Sequence, residues 1–194
     1  MSNKIAFIQG SPRKNGNTRA ITAIAIASAK EEGAKVTEID VTNLNFKEPG
    51  CVGCQKCQQS QEYVCAFNDD IAKSVATLPD YNVIVLATPL YWWSYSAQLK
   101  IYIDRMYSLS KISDLENYQS LLAGKTLALL ATAGGPFEDN LELLEYQWKK
   151  PANMLGCLFV SCLFPDTTQE AGMLVGDPSA VEKAKAFGRS LALT

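Results

Sequence analysis

Four of the six cysteines in this 194-residue chain lie within the short stretch CVGCQKCQQSQEYVC. They are Cys51, Cys54, Cys57 and Cys65, and the first three follow a C-x2-C-x2-C spacing. Four thiolates can ligate a [4Fe–4S] cluster, and such clusters use this compact spacing. Zinc also accepts four thiolates, but usually from two pairs separated by a longer loop. The residues alone leave three states open: a candidate [4Fe–4S] site, a zinc site, or reduced or redox-active thiols.

The chain contains no histidine, which limits the chemistry it can perform. Imidazole acid–base catalysis, His-based triads and His-ligated zinc are all excluded. Catalysis must then come from carboxylates, thiols, hydroxyls or a bound cofactor. The remaining cysteines, Cys157 and Cys162, fall in or beside an apolar run, and we expect them in the core.

A polar loop, GSPRKNGNT, follows the first apolar run of the chain. Its hydroxyls, Asn17 and Arg13 stand at the start of a predicted helix, where exposed backbone N–H groups favour a phosphate. The loop lacks the lysine of a nucleoside-triphosphate loop, and it is not a G-x-G-x-x-G fingerprint. The pattern therefore favours a monophosphate, with a simple polar turn as the alternative.

Two further loops have unusual compositions. TPLYWWSYS crowds large aromatic rings that can flank a planar ligand or form a subunit interface. ATAGGP carries a glycine pair that lets the backbone approach a ligand, or that simply makes a tight turn. A planar ring, a monophosphate and the lack of histidine together suggest flavin mononucleotide (FMN), whose ring performs the redox chemistry itself.

These loops must be positioned by the elements between them. Apolar runs of strand length occur at 4–9, 35–41, 81–87, 125–132 and 157–164. Helical patterns alternate with them at 18–32, 68–78, 97–110, 139–150 and 179–192. This alternation predicts an α/β, three-layer, doubly wound fold whose five-stranded parallel sheet has the order 2-1-3-4-5. Ligands bind such sheets at the carboxyl ends of the strands, where loops 10–18, 88–94 and 132–136 fall.

Length and charge set the remaining expectations. The length indicates a single domain over residues 1–194. A formal net charge of −2 gives no electrostatic reason to expect nucleic acid or an anionic membrane as a partner. No apolar stretch approaches the length of a membrane span and no signal-peptide pattern is visible, so we expect a cytoplasmic protein.

Four motifs in order, GSPRKNGNT, CVGCQKC…C…NDD, TPLYWWSYSAQLKIYIDR and TAGG, make residues 4 to about 136 similar to a known family. The chain resembles the flavodoxin-like NAD(P)H-dependent FMN reductases and, within them, the iron-sulfur flavoproteins. The resemblance implies a flavodoxin-like fold in which the FMN phosphate is held by Ser11, Arg13, Asn17 and Thr18. It also implies a flavin lined by Pro89, Leu90, Tyr91, Trp92 and Trp93, with an opposite edge formed by Thr132, Ala133, Gly134 and Gly135.

Other residues match or depart from the pattern of this family. Trp93 stands where the family usually has a small residue, and we expect it to narrow access to the ring. Lys100, Asp104 and Arg105 match the family pattern, and we interpret them as structural, through i, i+4 pairing along their helix. Contact between subunits is the alternative role for these three residues.

The resemblance implies an NAD(P)H-dependent FMN reductase, in which reduced nicotinamide passes hydride to FMN and FMN reduces a small-molecule or protein acceptor. The first alternative is an electron-transfer iron-sulfur flavoprotein that exchanges electrons with a ferredoxin-type partner. The second is a flavin-binding sensor without turnover. A homodimer or homotetramer is also implied. The gap between Cys57 and Cys65 suits an iron-sulfur flavoprotein, but other family members keep similar cysteines without a known cluster, so the state of the cysteines stays open.

Overall fold

The computed structural model describes residues 2–112 and 118–194. Its main sheet consists of five parallel strands: β1 (Lys4–Gln9), β2 (Lys35–Asp40), β3 (Val83–Pro89), β6 (Thr126–Thr132) and β7 (Leu158–Phe164). Two short segments, β4 (Ser110–Lys111) and β5 (Gln119–Ser120), form a separate antiparallel pair that the sequence did not predict. The main sheet has the order β2-β1-β3-β6-β7, which confirms the predicted order 2-1-3-4-5 for five successive strands.

Helices cover both faces of this sheet and complete the three predicted layers. One face carries α1 (Asn17–Glu31) and α6 (Pro178–Leu193), which pack against each other. The other face carries α3 (Asp70–Ala76), α4 (Ala97–Arg105) and α5 (Glu142–Met154). A single helical turn, α2 (Lys56–Gln59), lies within the cysteine stretch.

Two hydrophobic cores result from this layering, because successive residues of a strand point to opposite faces. In β1, Ile5 and Phe7 contribute to the core under α1 and α6, whereas Ala6 and Ile8 contribute to the core under α3, α4 and α5. Both faces of the sheet are therefore buried. That burial is why the central strands read as unbroken apolar runs in the sequence.

Local signals set several helix ends. The side chain of Asp69 accepts a hydrogen bond from the backbone N–H of Ala72 at 2.9 Å and so caps α3. Gly33 follows α1 with φ of +87°, the left-handed conformation that commonly ends a helix.

Two helices differ most in extent from the prediction. α4 ends at Arg105 and not at residue 110, because the chain tightens into a 3-10 turn over Met106–Leu109 and then enters β4. α5 begins three residues later than predicted and continues to Met154. It contains Pro151, which has no N–H and therefore weakens the hydrogen bonding of the helix near its end.

The register of the sheet places the loops that we expect to bind a ligand side by side. Gln9 lies opposite Ala87, Pro89 lies opposite Thr132, and Thr132 lies opposite Phe164. The segments that follow β1, β3, β6 and β7 therefore emerge together at the carboxyl edge. None of the helices in the described residues has both the length and the apolar character that a membrane span requires.

Candidate functional site

A cavity of about 210 Å³ lies at the carboxyl edge, where these segments meet. Most of the residues expected to bind a cofactor line it, namely Ser11, Arg13, Asn17, Thr18, Pro89, Leu90, Tyr91, Thr132, Ala133 and Gly134. Trp92, Trp93 and Gly135 are not among the residues around this cavity. The structure thus brings three separate predicted loops to one place.

The start of α1 forms one end of the cavity. Gly16 precedes the helix and gives it no side-chain cap, and the first turn contains no acidic residue. The free N–H groups and the positive end of the helix dipole therefore favour an anion. A Cβ added at Gly16 would lie 3.1 Å from the Cβ of Arg13 and 3.7 Å from the Oγ of Ser11, so glycine allows the loop to close tightly.

Hydroxyl and backbone groups join the loops around the cavity. The Oγ1 atoms of Thr18 and Thr132 lie 2.7 Å apart, and both residues are buried. This contact connects α1 to the end of β6. The backbone N–H of Leu90 donates to the carbonyl of Thr132 at 2.8 Å and connects the β3 loop to the same point. Thr132 is therefore the meeting point of the three loops.

The segment after β7 also lines the cavity, through Thr167, Thr168 and Gln169, which sequence reasoning missed. Arg13 Nη2 donates to the carbonyl of Gln169 at 2.8 Å. Asn17 Nδ2 donates to the carbonyls of Thr168 and Glu170 at 3.2 and 2.7 Å. The side chains of Arg13 and Asn17 thus hold this segment beside the cavity. The only sequence signal for it was its position after the fifth strand.

The aromatic loop makes a tight turn in which Trp92 and Trp93 both have positive φ, 48° and 56°. Tyr91 and Ser94 close the turn through two backbone hydrogen bonds of 2.9 and 3.0 Å. Trp92 is 90% exposed. Trp93 Nε1 donates to the carbonyl of Asp139 at 3.0 Å, which ties the loop to the segment before α5. Tyr91 is therefore the aromatic residue of this loop that borders the cavity.

An ion pair lies behind the loop that follows β1. Two guanidinium nitrogens of Arg19 donate to the two carboxylate oxygens of Asp40, each at 2.8 Å, and Nε donates to the carbonyl of Ser11 at 3.0 Å. Burial raises the pKa of Asp40, but hydrogen bonds from Arg19 and Thr42 outweigh that effect and hold the pKa below its ordinary value. Arg19 thereby fixes the backbone at Ser11.

The four clustered cysteines lie beside α4. Cys51 and Cys54 are exposed, Cys57 and Cys65 are half-buried, and all four border one small cavity. Within residues 2–112 and 118–194, no three potential ligand side chains stand close enough to hold a single metal ion. The four thiols therefore share one cavity without forming a ready-made single-metal site among the described residues.

Arg105 connects the two ends of the cysteine stretch. Its Nη1 donates to the Sγ of Cys65 at 2.9 Å, and its Nη2 donates to the carbonyl of Glu48 at 2.9 Å and to Asp69 Oδ2 at 3.0 Å. Its Nε donates to the carbonyl of Gly50. The guanidinium is therefore bonded to residues outside its own helix.

Lys100 and Asp104, in contrast, form the i, i+4 ion pair that we expected along α4. Lys111 of β4 provides a second cationic contact with the cysteine stretch. Its Nζ donates to the carbonyls of Ser60 and Glu62, both at 2.8 Å, and to that of Cys57. Two cations, Arg105 and Lys111, thus hold the stretch in place.

The two remaining cysteines are buried in the two cores, as expected. Burial raises the pKa of the Cys162 thiol to about 12 and also raises the pKa of Cys157. Both thiols therefore stay neutral and unreactive at ordinary pH.

A second cavity, apolar and about 290 Å³ in volume, lies between α4 and α5. Tyr95 and Trp148 contribute to its lining. Among the described residues, the Tyr95 hydroxyl and the Trp148 Nε1 are buried without a hydrogen-bond partner. An unpaired buried donor costs free energy. In the described part of the chain, no group on this face of the molecule satisfies these two side chains.

Comparisons with known proteins agree with this geometry. Residues 3–164 match the NADPH-dependent FMN reductase family. An iron-sulfur flavoprotein of Methanocaldococcus jannaschii is 30% identical over 139 residues, which cover 72% of this chain and 68% of that protein. An iron-sulfur flavoprotein of Methanosarcina thermophila is 33% identical over 102 residues, 53% of this chain and 51% of that protein. The chain thus spans only about half the length of the second relative.

Solved structures resemble the fold at lower identity. An azoreductase from Bacillus anthracis superposes with a TM-score of 0.73 at 18% identity, covering 97% of this chain and 99% of the other. An NAD(P)H:quinone oxidoreductase from Methanothermobacter marburgensis gives a TM-score of 0.71 at 18% identity, covering 99% and 98%. These similarities show a shared flavodoxin-like fold.

Proposed function

The chain belongs to the NADPH-dependent FMN reductase family, and from this premise we propose that it is an FMN-dependent oxidoreductase. It passes hydride and electrons from NAD(P)H through FMN to a small-molecule or protein acceptor. The observation that carries the proposal is the cavity at the carboxyl edge, which joins an anion-binding helix start to apolar and backbone walls.

The donor groups at one end of the cavity fit the phosphate of FMN. The start of α1 offers backbone N–H groups next to the hydroxyls of Ser11 and Thr18. A phosphate monoester suits such a set, because the donors and the helix dipole act together. Arg13 and Asn17 hold the segment after β7 against the same end, so they shape this part of the site.

The other end of the cavity fits the flavin ring. Pro89, Leu90 and Tyr91 form one side, and the backbone from Thr132 to Gly134 forms the opposite edge. When bound, FMN supplies the redox chemistry by accepting hydride from nicotinamide and passing electrons onward. Backbone N–H groups near Gly134 would stabilise negative charge on a ring bound there. Among the described residues, none of those around the cavity carries a carboxylate side chain.

The cysteine stretch is the second part of the proposal: Cys51, Cys54, Cys57 and Cys65 hold a [4Fe–4S] cluster. Four thiols that border one cavity, with Arg105 and Lys111 bonded to the stretch, support a thiolate-ligated centre. Free redox-active thiols are the alternative state of the same residues.

The exposure of the first two cysteines favours a second candidate function, electron exchange with a ferredoxin-type protein. Cys51 and Cys54 lie on the surface, so a partner could approach a centre held there. A protein that acts only as such a carrier would show almost no steady-state oxidation of NAD(P)H.

Self-association, as a homodimer or homotetramer, is also part of the proposal. The outer side of α5 exposes Leu143, Tyr146 and Met154, and the apolar cavity with its unpaired donors opens between α4 and α5. A second copy on this face would bury these groups.

The flavin assignment is tested with Thr18→Val and a matched control, Thr22→Val. Both threonines are buried in α1, and each loses one side-chain hydrogen bond, to Thr132 or to the carbonyl of Thr18. Each change should lower the free energy of unfolding by about 1 kcal/mol. Only Thr18→Val should weaken FMN, because only Thr18 lines the cavity. Quenching of flavin fluorescence measures the affinity, and oxidation of NADH and NADPH measures turnover.

Equal FMN affinities for Thr18→Val and Thr22→Val would contradict the assignment of this cavity as the FMN site. Wild-type protein that binds FMN tightly but oxidises neither NADH nor NADPH would overturn the reductase activity and leave the carrier as the better reading.

A further inference from the structure

We propose that Arg105 is a positioning residue of the cysteine site: it sets the separation of the first and last cysteines and donates a hydrogen bond to the sulfur of Cys65. This inference rests on the proposed [4Fe–4S] site and assigns to it a residue that is not itself a ligand.

The guanidinium of Arg105 reaches both ends of the cysteine stretch at once. The carbonyls of Glu48 and Gly50 accept its hydrogen bonds immediately before Cys51, and Cys65 accepts another at the far end. These partners lie 40 to 57 residues away from Arg105 in the sequence. The separation of Cys51 from Cys65 is therefore set from α4 and not by the stretch alone.

The burial of Arg105 makes these contacts strong. Its side chain is only 1% exposed, and its carboxylate partner, Asp69, is almost as buried. Asp69 is shared, because it also accepts the backbone N–H groups of Lys47 and Ala72. Because Asp69 is shared, the positive charge of the guanidinium also acts on the sulfur of Cys65. A charge-assisted hydrogen bond in a buried place is stronger than a neutral one.

The geometry of the side chain explains why arginine occupies this position. A guanidinium presents donors in a rigid planar fork, so one group can bind two carbonyls, a carboxylate and a sulfur together. A lysine ammonium has a single nitrogen and cannot span those partners. Phe67 adds to the fit, since its ring centroid lies 4.5 Å from the Cζ of Arg105.

Lys111 offers a contrast within the same site. Its ammonium binds only carbonyl oxygens of the stretch, at Cys57, Ser60 and Glu62, and its side chain has no hydrogen bond to a sulfur among the described residues. Arg105 both holds the backbone and donates to a sulfur. Hydrogen bonds to ligand sulfurs raise the reduction potential of an iron–sulfur cluster, and partners of this kind also orient the ligands.

The test compares two charge-conserving variants, Arg105→Lys and Lys111→Arg, with the wild type. After anaerobic reconstitution with iron and sulfide, Arg105→Lys should lose iron to a chelator about 10- to 100-fold faster, the range typical of residues that orient metal ligands. Its cluster should also have a more negative midpoint potential. Lys111→Arg should leave the potential unchanged, because Lys111 does not donate to a sulfur.

A third measurement is independent of the cluster. Hydrogen–deuterium exchange of the metal-free proteins should show faster exchange around 48–50 and 65–69 in Arg105→Lys. In Lys111→Arg, any change should be confined to 57–62. Equal exchange of these segments in Arg105→Lys and the wild type would overturn the positioning role, as would an unchanged potential and iron-loss rate.

Failure of the cluster and failure of this inference can be told apart. If reconstituted wild type takes up no iron or sulfide, the proposed cluster is wrong, and the exchange data still decide whether Arg105 organises the stretch. If Arg105→Lys does not fold, Asp69→Asn replaces it, since it removes the ionic contact with Nη2. Asp69→Asn should speed hydrogen exchange and iron loss and make the midpoint potential more negative, each by less than Arg105→Lys. No change in these three quantities would overturn the inference.

Discussion

Asp40 shows at the residue scale how one ion pair positions the loop that follows β1. Its carboxylate binds Arg19 through two hydrogen bonds of 2.8 Å, and Arg19 in turn holds the carbonyl of Ser11. The same carboxylate accepts the backbone N–H of Thr42 at 3.1 Å. Protonation of Asp40 would therefore disturb both β2 and the end of the cavity that Ser11 lines.

Acid should weaken the fold through this carboxyl. Because the folded-state pKa of Asp40 lies below its ordinary value of 3.8, its stabilisation is complete above that value and is lost as the pH falls through the lower folded-state pKa. Asp40→Asn should lower stability at pH 7 and flatten its decline below about pH 4. Urea unfolding at pH 7 and pH 3 measures both effects.

Asp104→Asn is the control for this measurement, because Asp104 belongs to an exposed ion pair with Lys100. Exposed pairs contribute little, so this change should alter stability only slightly at either pH. If Asp40→Asn and the wild type lose stability equally between pH 7 and pH 3, the acid sensitivity does not come from Asp40.

Residue types could be predicted from the sequence better than their partners. The position of three residues at the cavity could be predicted, because the loops that contain them have a recognisable composition. These residues are Ser11, Thr18 and Tyr91. The partners of Arg13 and Asn17 could not be foreseen, since the hydrogen bonds to residues 168–170 join positions more than 150 residues apart. Composition and spacing carry no information about contacts of that range.

At the scale of elements, the strands and helices that can be predicted are those long enough to show a hydrophobic pattern. The strands of the main sheet were predicted because both of their faces are buried and their sequences are unbroken apolar runs. α2 has four residues, and β4 and β5 have two each, which is too short for a pattern to appear. The contacts of α2 and β4 with their neighbours define them, and the sequence does not show those contacts.

The turn between β3 and α4 is an element whose backbone is strained. Trp92 and Trp93 both adopt left-handed conformations, which cost a non-glycine residue about 1–2 kcal/mol each. Trp92 is 90% exposed and buries little surface in return. Trp93 is half-exposed and gains a hydrogen bond to Asp139.

Glycine at the first of these positions should therefore stabilise the protein. Trp92→Gly should raise the free energy of unfolding by up to about 1 kcal/mol, because it relieves strain and removes few contacts. Trp93→Gly should give no such gain, since it also removes the hydrogen bond to Asp139. Chemical denaturation of both variants measures the difference. A Trp92→Gly protein that is no more stable than the wild type would contradict the prediction.

At the scale of the whole molecule, the topology determined where the site could be. The order of the strands brings the ends of β1, β3, β6 and β7 to one edge, and that order followed from the alternation of strands and helices. The shape of the cysteine stretch did not follow from it, because Arg105 and Lys111 hold the stretch from elements that come later in the chain. The sequence indicated the four cysteines but not the groups that hold the stretch around them.

Self-association belongs to the same scale. If a second copy covers the outer side of α5, Tyr146→Glu should shift the protein to monomer, because it places a charge on a side chain that is 56% exposed in the single chain. Leu193→Glu is the control, since Leu193 is exposed at the end of α6 on the opposite face of the sheet. Sedimentation velocity measures the assembly state of each variant.

The melting temperature should also rise with protein concentration in the wild type and not in Tyr146→Glu. A wild type that sediments as a monomer at every concentration would overturn the proposed assembly. An effect of Leu193→Glu equal to that of Tyr146→Glu would place the interface elsewhere.

The contacts of Arg105 with the cysteine stretch also have a consequence for biosynthesis. Arg105 lies 40 residues after Cys65 in the sequence, so all four thiols leave the ribosome before the residue that hydrogen-bonds to both ends of the stretch. At the usual rate of translation, this delay is about 2–8 s. During that interval the cysteines are without the hydrogen bonds that Arg105 donates to their stretch in the folded protein. Their native arrangement must therefore wait until β3 has been made and α4 has docked on the sheet.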